Sequence, residues 1–585
     1  MRKSNILALV LLIALLNGCG GGGTKPASGA GTPNQSSSSG QPGSVDNSDS
    51  GDVPSVLPGV NLEVVQDQAV IGKLMRFADV KDWYFTRNGQ LTDVVFDSAE
   101  SHDSGTGSAV LEQSNTDWTK TDRLFSTFLL PVQPGKSYTL SFWMKSESMQ
   151  PSLEVYGVYW DKNQRELKNS RGSQIANSVV NKWEQGFIRI NIPDNPEIKY
   201  FSIKVFMAHQ GINGKIWVDD FAFHKGNQLP ARSPKKAFNG TVTKVDQLGN
   251  MQVFENGSWI DFFPFALVDV DGNRDLSVYA NQGFNMKLNA WSAADVKNAY
   301  AKGLYTALNI TLPMMYDSQN ISDLENRLQG ILNDPQAASK LLFYYADNEF
   351  FNRLPRVVNT VNAIRAKDNG ARPIYMLQGD YALTRKYNDL SDIAGAYVAT
   401  NRLQEDPSII EQPSMFEYEI MDRTPDQNQP VVFAEITRGV RNNFRPVLFG
   451  AIAKGARGAA FWRDGGSAGD ITKRVWWNDL PKIKQEIDKM MAAGIIQASH
   501  NSAFHVTPSN KEVITGTRVV NGVGYIIAAN PTSSTANVSL NLSGLNYTPS
   551  ASQDFITGAT TGTVSASSAS FTIPPYGSRV IKLLQ

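Results

Sequence analysis

Between about residues 240 and 500, short apolar runs alternate with stretches of helical periodicity, and that alternation restricts the fold more than any other property of the chain. Strand-like runs lie at Phe265–Val268, Phe284–Leu288, Leu304–Ile310, Leu341–Ala346, Pro373–Leu377, Ile393–Tyr397, Val431–Ala434 and Gly458–Trp462. Helical patterns occupy Ala293–Lys302, Ile321–Asn333, Pro355–Lys367 and Phe444–Lys454. Parallel strands need a long crossover, which a helix supplies. Eight such runs predict an α/β (β/α)8 barrel, or TIM barrel, whose strand C-termini form one functional face. A doubly wound open sheet is the structural alternative. Ahead of the first strand, Val253–Pro264 reads as a hairpin around Asn256-Gly257.

Both flanks change period. From about 60 to 226, runs such as Ser137–Trp143, Leu153–Tyr159, Gly186–Ile192 and Ile216–Phe223 alternate apolar and polar residues between Gly, Pro and Asn turns. That pattern predicts a β-sandwich. The same period returns over 503–585, at Gly522–Asn530, Asn537–Leu542 and Ser578–Leu584, and predicts a smaller sandwich. The expected fold is therefore multidomain, with an N-terminal β-sandwich (60–226), a central barrel (240–500) and a C-terminal β-sandwich (503–585).

Ahead of these domains, Arg2 and Lys3 precede the apolar run Ile6–Leu16. The run is too short to span a bilayer and has the form of a signal segment over 1–19. Cys19, just after it, is the one cysteine in the chain, so no internal disulfide or thiolate cluster can form. Residues 20–55 are mostly Gly, Ser, Pro, Asn and Thr, too polar to offset ordering entropy, and read as a disordered tether. The 55 basic and 55 acidic residues balance, and no basic block marks a nucleic-acid partner. Five His residues without a His-Glu-x-x-His motif give no catalytic zinc site.

Two glutamates carry the chemistry that such a barrel can host. Glu349 closes the fourth strand-like segment and Glu435 the seventh. Glycosidic bond cleavage needs two carboxyls across one cleft, one protonated to donate to the leaving oxygen and one ionised to act at the anomeric carbon. Repulsion and partial desolvation raise the pKa of one member of such a pair, which becomes the acid. The other reading of these acids is ion pairing with Arg438, Arg441 or Arg463. Trp291, Tyr316, Tyr397 and Trp462 stand at or beyond other strand ends and are candidate sugar platforms; Gln378 and Asn401 are candidate hydroxyl partners.

The Asn348-Glu349 pair, Glu435, the Asn256-Gly257…Phe262-Phe263-Pro264 opening and the stretch Gly455–Trp462 resemble the large clan of retaining glycoside hydrolases built on (β/α)8 barrels. In that clan an Asn-Glu pair ends strand four and a second Glu ends strand seven. The resemblance implies that Glu349 is the acid/base, Glu435 the nucleophile and Asn348 a partner of the sugar 2-hydroxyl. Asp347 departs from the pattern by placing another acid two residues before Glu349. Pro134-Gly135, Trp183 and Trp217–Phe221 resemble jelly-roll carbohydrate-binding modules. That makes Trp83, Tyr84, Trp118 and Trp160 candidate glycan contacts, and Asp219 and Asp220 candidate ligands of a structural calcium ion. Leu16–Cys19 resembles the bacterial lipobox, implying a lipid anchor at Cys19. Gly20 stands where an aspartate often retains lipoproteins at the inner membrane, so the expected location is the cell envelope at the outer membrane.

Other motifs fit less well. Gly465–Gly469 matches Gly-x-Ser-x-Gly, but Arg463-Asp464 intervenes after the strand, whereas a nucleophile elbow turns directly from strand to helix. Asp269, Asp271, Asn273 and Asp275 alternate like a calcium loop but lack its glycine position and closing glutamate. The expected protein is a monomeric, lipid-anchored retaining glycosidase acting on a polysaccharide or oligosaccharide, with no cofactor required for the reaction. The alternative is a non-catalytic surface glycan-binding lipoprotein with a degenerate barrel.

Overall fold

The computed structural model describes the chain apart from residues 1–61, 65–73, 76–82, 88–89, 104–106, 114–121, 149–151, 170–172, 176, 178, 194, 209–213, 227, 229–236, 269–273, 316–320, 347–353, 379–389, 399–431, 437–443, 463–470, 500–503 and 510–512. At Gln378, residues 396–398, Val432–Ile436 and Trp462 the backbone alone is described. The signal segment, the tether, Cys19 and Trp118 lie outside the described residues.

Eight strands pair in parallel, each with the next along the chain, and the last pairs with the first, so the sheet closes. They run Phe265–Val268, Met286–Ala290, Tyr305–Asn309, Leu341–Ala346, Ile374–Gln378, Ile393–Val398, Val432–Ile436 and Gly458–Trp462, numbered one to eight below. The helices Ala293–Ala301, Ile321–Leu332, Leu354–Asp368 and Phe444–Ala453 follow strands two, three, four and seven. Most of the connections after strands five and six lies outside the described residues. Strand two begins at Met286, two residues later than the sequence pattern suggests. Phe284 is instead packed between Phe265 and Phe461 after the short helix Ser277–Ala280.

Along each strand the side chains alternate between two cores. Ala266, Val268, Met286, Leu288, Phe343, Tyr345, Tyr375, Leu377, Ile393 and Ala460 fill the interior. Phe265, Leu267, Ala459 and Phe461 pack outward with the helices. Both faces are buried, which is why the runs read as continuously apolar. Gly395 is dictated by this packing, because a Cβ there would lie 2.6 Å from the Tyr375 ring.

A four-stranded antiparallel sheet closes one end of the barrel. Its strands are Phe238–Asn239, Thr243–Val245, Met251–Glu255 and Ser258–Phe262. Val245, Met251, Val253 and Phe262 join the interior core, and Thr243 Oγ1 donates to Leu342 O at 2.7 Å, at the start of strand four. The sheet therefore sits at the N-terminal mouth. Asn256 and Gly257 have φ of 50° and 80°, as a two-residue type I′ hairpin turn requires.

The C-terminal unit consists of two four-stranded antiparallel sheets around a shared core that includes Ile526, Leu540, Phe571 and Ile581. The outer face of the sheet bearing Ile514–Val520 presents Ile514, Tyr525, Ile527 and Val580 to the helix Phe444–Ala453. That helix is apolar around most of its circumference because strands cover it on one side and this sheet covers it on the other.

The N-terminal unit pairs a nine-stranded sheet with a six-stranded one. Phe85, Leu124, Leu153 and Phe201 from the first meet Leu111, Leu140, Phe142 and Phe221 from the second in one core. Among the described residues, no helix is long and apolar enough to cross a membrane.

Candidate active site

Parallel pairing gathers all eight strand C-termini at the mouth opposite the closing sheet. Glu435 is the fourth residue of strand seven, in register with Tyr397 of strand six and Ala460 of strand eight. Ala460 belongs to the interior core. The strand continues through Ile436, so Glu435 is its penultimate residue rather than its last. Trp462 ends strand eight in register with Val268 of strand one. Strand four ends at Ala346, three positions before Glu349 in the chain. Asn348, Glu349, Tyr316 and Asp347 lie outside the described residues, as do Arg438, Arg441, Arg463 and Asn401.

Trp291 is described fully. It follows strand two directly and is 40 % exposed. A helix N-cap holds its backbone: Ser292 Oγ accepts from Asp295 N at 3.2 Å, and Asp295 Oδ2 accepts from Trp291 N at 3.1 Å. Lys287 Nζ neutralises the same carboxylate at 2.7 Å. Arg327 stacks its guanidinium 4.9 Å from the indole centroid. Burial lowers the pKa of Arg327, with Asp323 opposing that shift. Sequence reasoning missed Arg327, because nothing in the helix Ile321–Leu332 distinguishes it from a solvated charge. At the end of strand three, Asn309 Oδ1 accepts from Thr311 N at 2.9 Å and starts the next helix. Asp275, expected in a loop of alternating acids, accepts from Ser277 N and pairs with Lys302.

The aromatic candidates of the N-terminal unit divide by face, and all three that are described are buried. Trp83, 4 % exposed, lies in the inter-sheet core against Phe128 and Phe221. Tyr84 and Trp160 lie on the other face of the nine-stranded sheet, stacked on Phe125 and bonded to Ser202 Oγ respectively. Strand alternation sends Trp83 into the inter-sheet core and Tyr84 and Trp160 to the opposite face. That outer face also holds Arg123 and Lys204, each 6 % exposed, with Lys204 against the Phe125 and Phe206 rings.

Burial pushes the Lys204 ammonium down to about 8; Arg123 adds to the effect, and Glu166 and Glu154 oppose it. The folded state therefore binds fewer protons than the unfolded chain between about pH 8 and the ordinary lysine pKa, and stability rises with pH across that window. Below it the full cost of a buried charge is present. Lys204→Met is expected to raise stability at pH 7 by up to about 3 kcal/mol. Urea midpoints measured from pH 7 to 11 should show a rise in the parent that the variant lacks; identical slopes would refute this.

Asp219 and Asp220 are already engaged. His102 Nδ1 meets Asp220 Oδ2 at 2.8 Å, and Asp219 accepts from the backbone N–H groups of His102 and Asp220. Among the described residues, no group of three or more His, Cys, Asp or Glu could hold a metal ion.

No protein-family model and no curated protein matches the sequence. Among solved structures, a maltogenic alpha-amylase from Thermotoga neapolitana aligns at 11 % identity and TM-score 0.39, over 55 % of this chain and 99 % of that one. A GH27 β-L-arabinopyranosidase from Geobacillus stearothermophilus aligns at 8 % identity and TM-score 0.37, over 55 % and 97 %. A Clostridium thermocellum xylanase fragment joining a CBM22 module to a GH10 module aligns at 12 % identity and TM-score 0.29, over 72 % and 98 %. Likeness this distant does not bear on the activity of the chain.

Proposed function

We propose that this protein is a retaining glycoside hydrolase of the (β/α)8-barrel type, acting on a polysaccharide or oligosaccharide at the bacterial cell surface. The supporting observation is positional. Glu435 occupies the C-terminal end of strand seven of a closed parallel sheet, and Glu349 follows strand four in the chain. These are the two strand ends from which opposed carboxyls serve glycosidic cleavage in the clan that the sequence resembles.

In this reading Glu435 attacks the anomeric carbon while Glu349 protonates the leaving oxygen. Glu349, now a carboxylate, takes a proton from the water that hydrolyses the glycosyl-enzyme, which restores its acid form and frees Glu435 as the carboxylate. A carboxyl separation of about 5–5.5 Å is the geometry that this double displacement requires. Asn348 holds the sugar 2-hydroxyl. Trp291, Tyr316, Tyr397 and Trp462 serve as sugar platforms in this reading, and Arg327 backs the Trp291 ring. The N-terminal unit is a jelly-roll carbohydrate-binding module, and Cys19 carries the lipid that tethers a monomer to the outer membrane.

The test is a panel of polysaccharides and aryl glycosides assayed with the full chain and with Glu435→Gln. Turnover by the parent alone supports the assignment. Glycan retention without turnover by either would favour the non-catalytic glycan-binding reading.

A further inference from the structure

Two arginines are buried at the seam between the barrel and the C-terminal sandwich. Arg518, on the strand Ile514–Val520, is 0 % exposed; Arg457, just before strand eight, is 4 % exposed. Arg518 covers the C-terminus of the helix Phe444–Ala453. Its Nη2 donates to Ile452 O at 2.7 Å, and its Nη1 to Thr517 O at 2.7 Å and Ala453 O at 3.3 Å. Arg457 follows that helix by four residues and donates from Nη2 to Ala498 O at 2.9 Å. These carbonyls satisfy some N–H groups but bring little charge, since a helix C-terminus contributes about half a negative charge.

Three donors remain. Arg518 Nε and Arg457 Nε and Nη1 are buried without a hydrogen-bond partner. Among the described residues, neither arginine forms an ion pair with a carboxylate. Asp246 acts on Arg457 only through longer-range electrostatics, and its carboxylate is exposed and bonded to Leu248 N and Asn250 N. Burial holds both guanidinium pKa values down, Arg457 at about 10, and Arg457 further depresses Arg518. Lys454, at the same helix end, is 9 % exposed and adds a third cation to the region. Buried charges are ordinarily compensated, and two like charges with unused donors are a costly exception.

We propose that a chloride-sized monovalent anion binds between Arg457 and Arg518 and takes these free N–H groups as donors. A spherical ion accepts N–H groups from any direction, so it suits donors contributed by two separate elements. Sulfate or phosphate would bring more acceptor oxygens than the three donors could satisfy. Because Arg457 belongs to the barrel segment and Arg518 to the sandwich, the ion couples the two units, independently of any hydrolytic activity.

The experiment is thermal unfolding of the full chain in sodium chloride against sodium gluconate at matched ionic strength. A saturable rise of about 5 °C in chloride is expected at a hundred-fold excess over Kd. Arg457→Met should lose the chloride response. Should that variant fail to fold, bromide-soaked crystals of the unchanged chain decide, with an anomalous peak expected within hydrogen-bond reach of both guanidinium groups. Superimposable melting in the two salts, a chloride response retained by Arg457→Met, or no bromide peak there would overturn the proposal.

Discussion

Glu435→Gln is expected to lower turnover by roughly 10³–10⁴-fold while leaving the unfolding midpoint within error of the parent. The amide keeps the shape of the carboxylate but can neither attack the anomeric carbon nor stabilise positive charge there. Azide separates the two carboxyl roles. With Glu435→Ala, azide takes the place of the missing nucleophile in the first step and yields a glycosyl azide of inverted configuration. With Glu349→Ala, azide intercepts the glycosyl-enzyme and yields a retained product, provided the substrate carries a good leaving group. The pH–rate profile supplies an independent readout. Its alkaline limb reports the general acid, and should flatten in Glu349→Gln but not through changes at the platform aromatics. Unchanged turnover by Glu435→Gln would remove this residue from the chemistry and with it the basis of the retaining mechanism.

The largest expected loss of stability lies one residue before Trp462. Phe461 is fully buried and packs against Phe265 at 4.7 Å, Phe284 at 5.1 Å, Phe444 at 5.4 Å and Trp476 at 5.9 Å between ring centroids. It links strand one, strand eight, the helix Phe444–Ala453 and the segment leading into the helix Leu480–Ala492. Phe461→Ala should cost about 3–5 kcal/mol, through lost burial and a cavity that four fixed rings cannot collapse to fill. Denaturant unfolding measures this directly. A loss under about 1 kcal/mol would mean that the barrel's outer core is far more plastic than its packing implies.

Much of the strand framework was legible in the sequence. Runs such as Leu341–Ala346 are apolar or aromatic throughout and too short for an ordinary helix, which fits a strand buried on both faces, and each observed strand lies within two residues of its predicted run. Phe284 marks where pattern reading ran past the strand: an apolar residue at a strand start and one that packs after a helical turn look alike in a linear sequence. The hairpin at Asn256-Gly257 was legible for a local reason, since both residues tolerate positive φ. Its position across the N-terminal mouth was not, because that depends on Val245, Met251, Val253 and Phe262 meeting strands distant in the chain.

For the candidate site, what the sequence alone determined is position: which strand-like runs end near a glutamate, and which near an aromatic residue. Local pattern sufficed there, because the direction of a parallel strand decides the end of the barrel to which its last residues belong. Only the tertiary structure decided what surrounds those residues. It stacked Arg327 on Trp291, buried Trp83, Tyr84 and Trp160 rather than leaving them as open platforms, and brought Arg518 onto the end of a helix 66 positions away in the chain. Such contacts follow from long-range packing, in which a cation's partner is set by the face that another element covers, and no residue type or spacing within either segment encodes that choice.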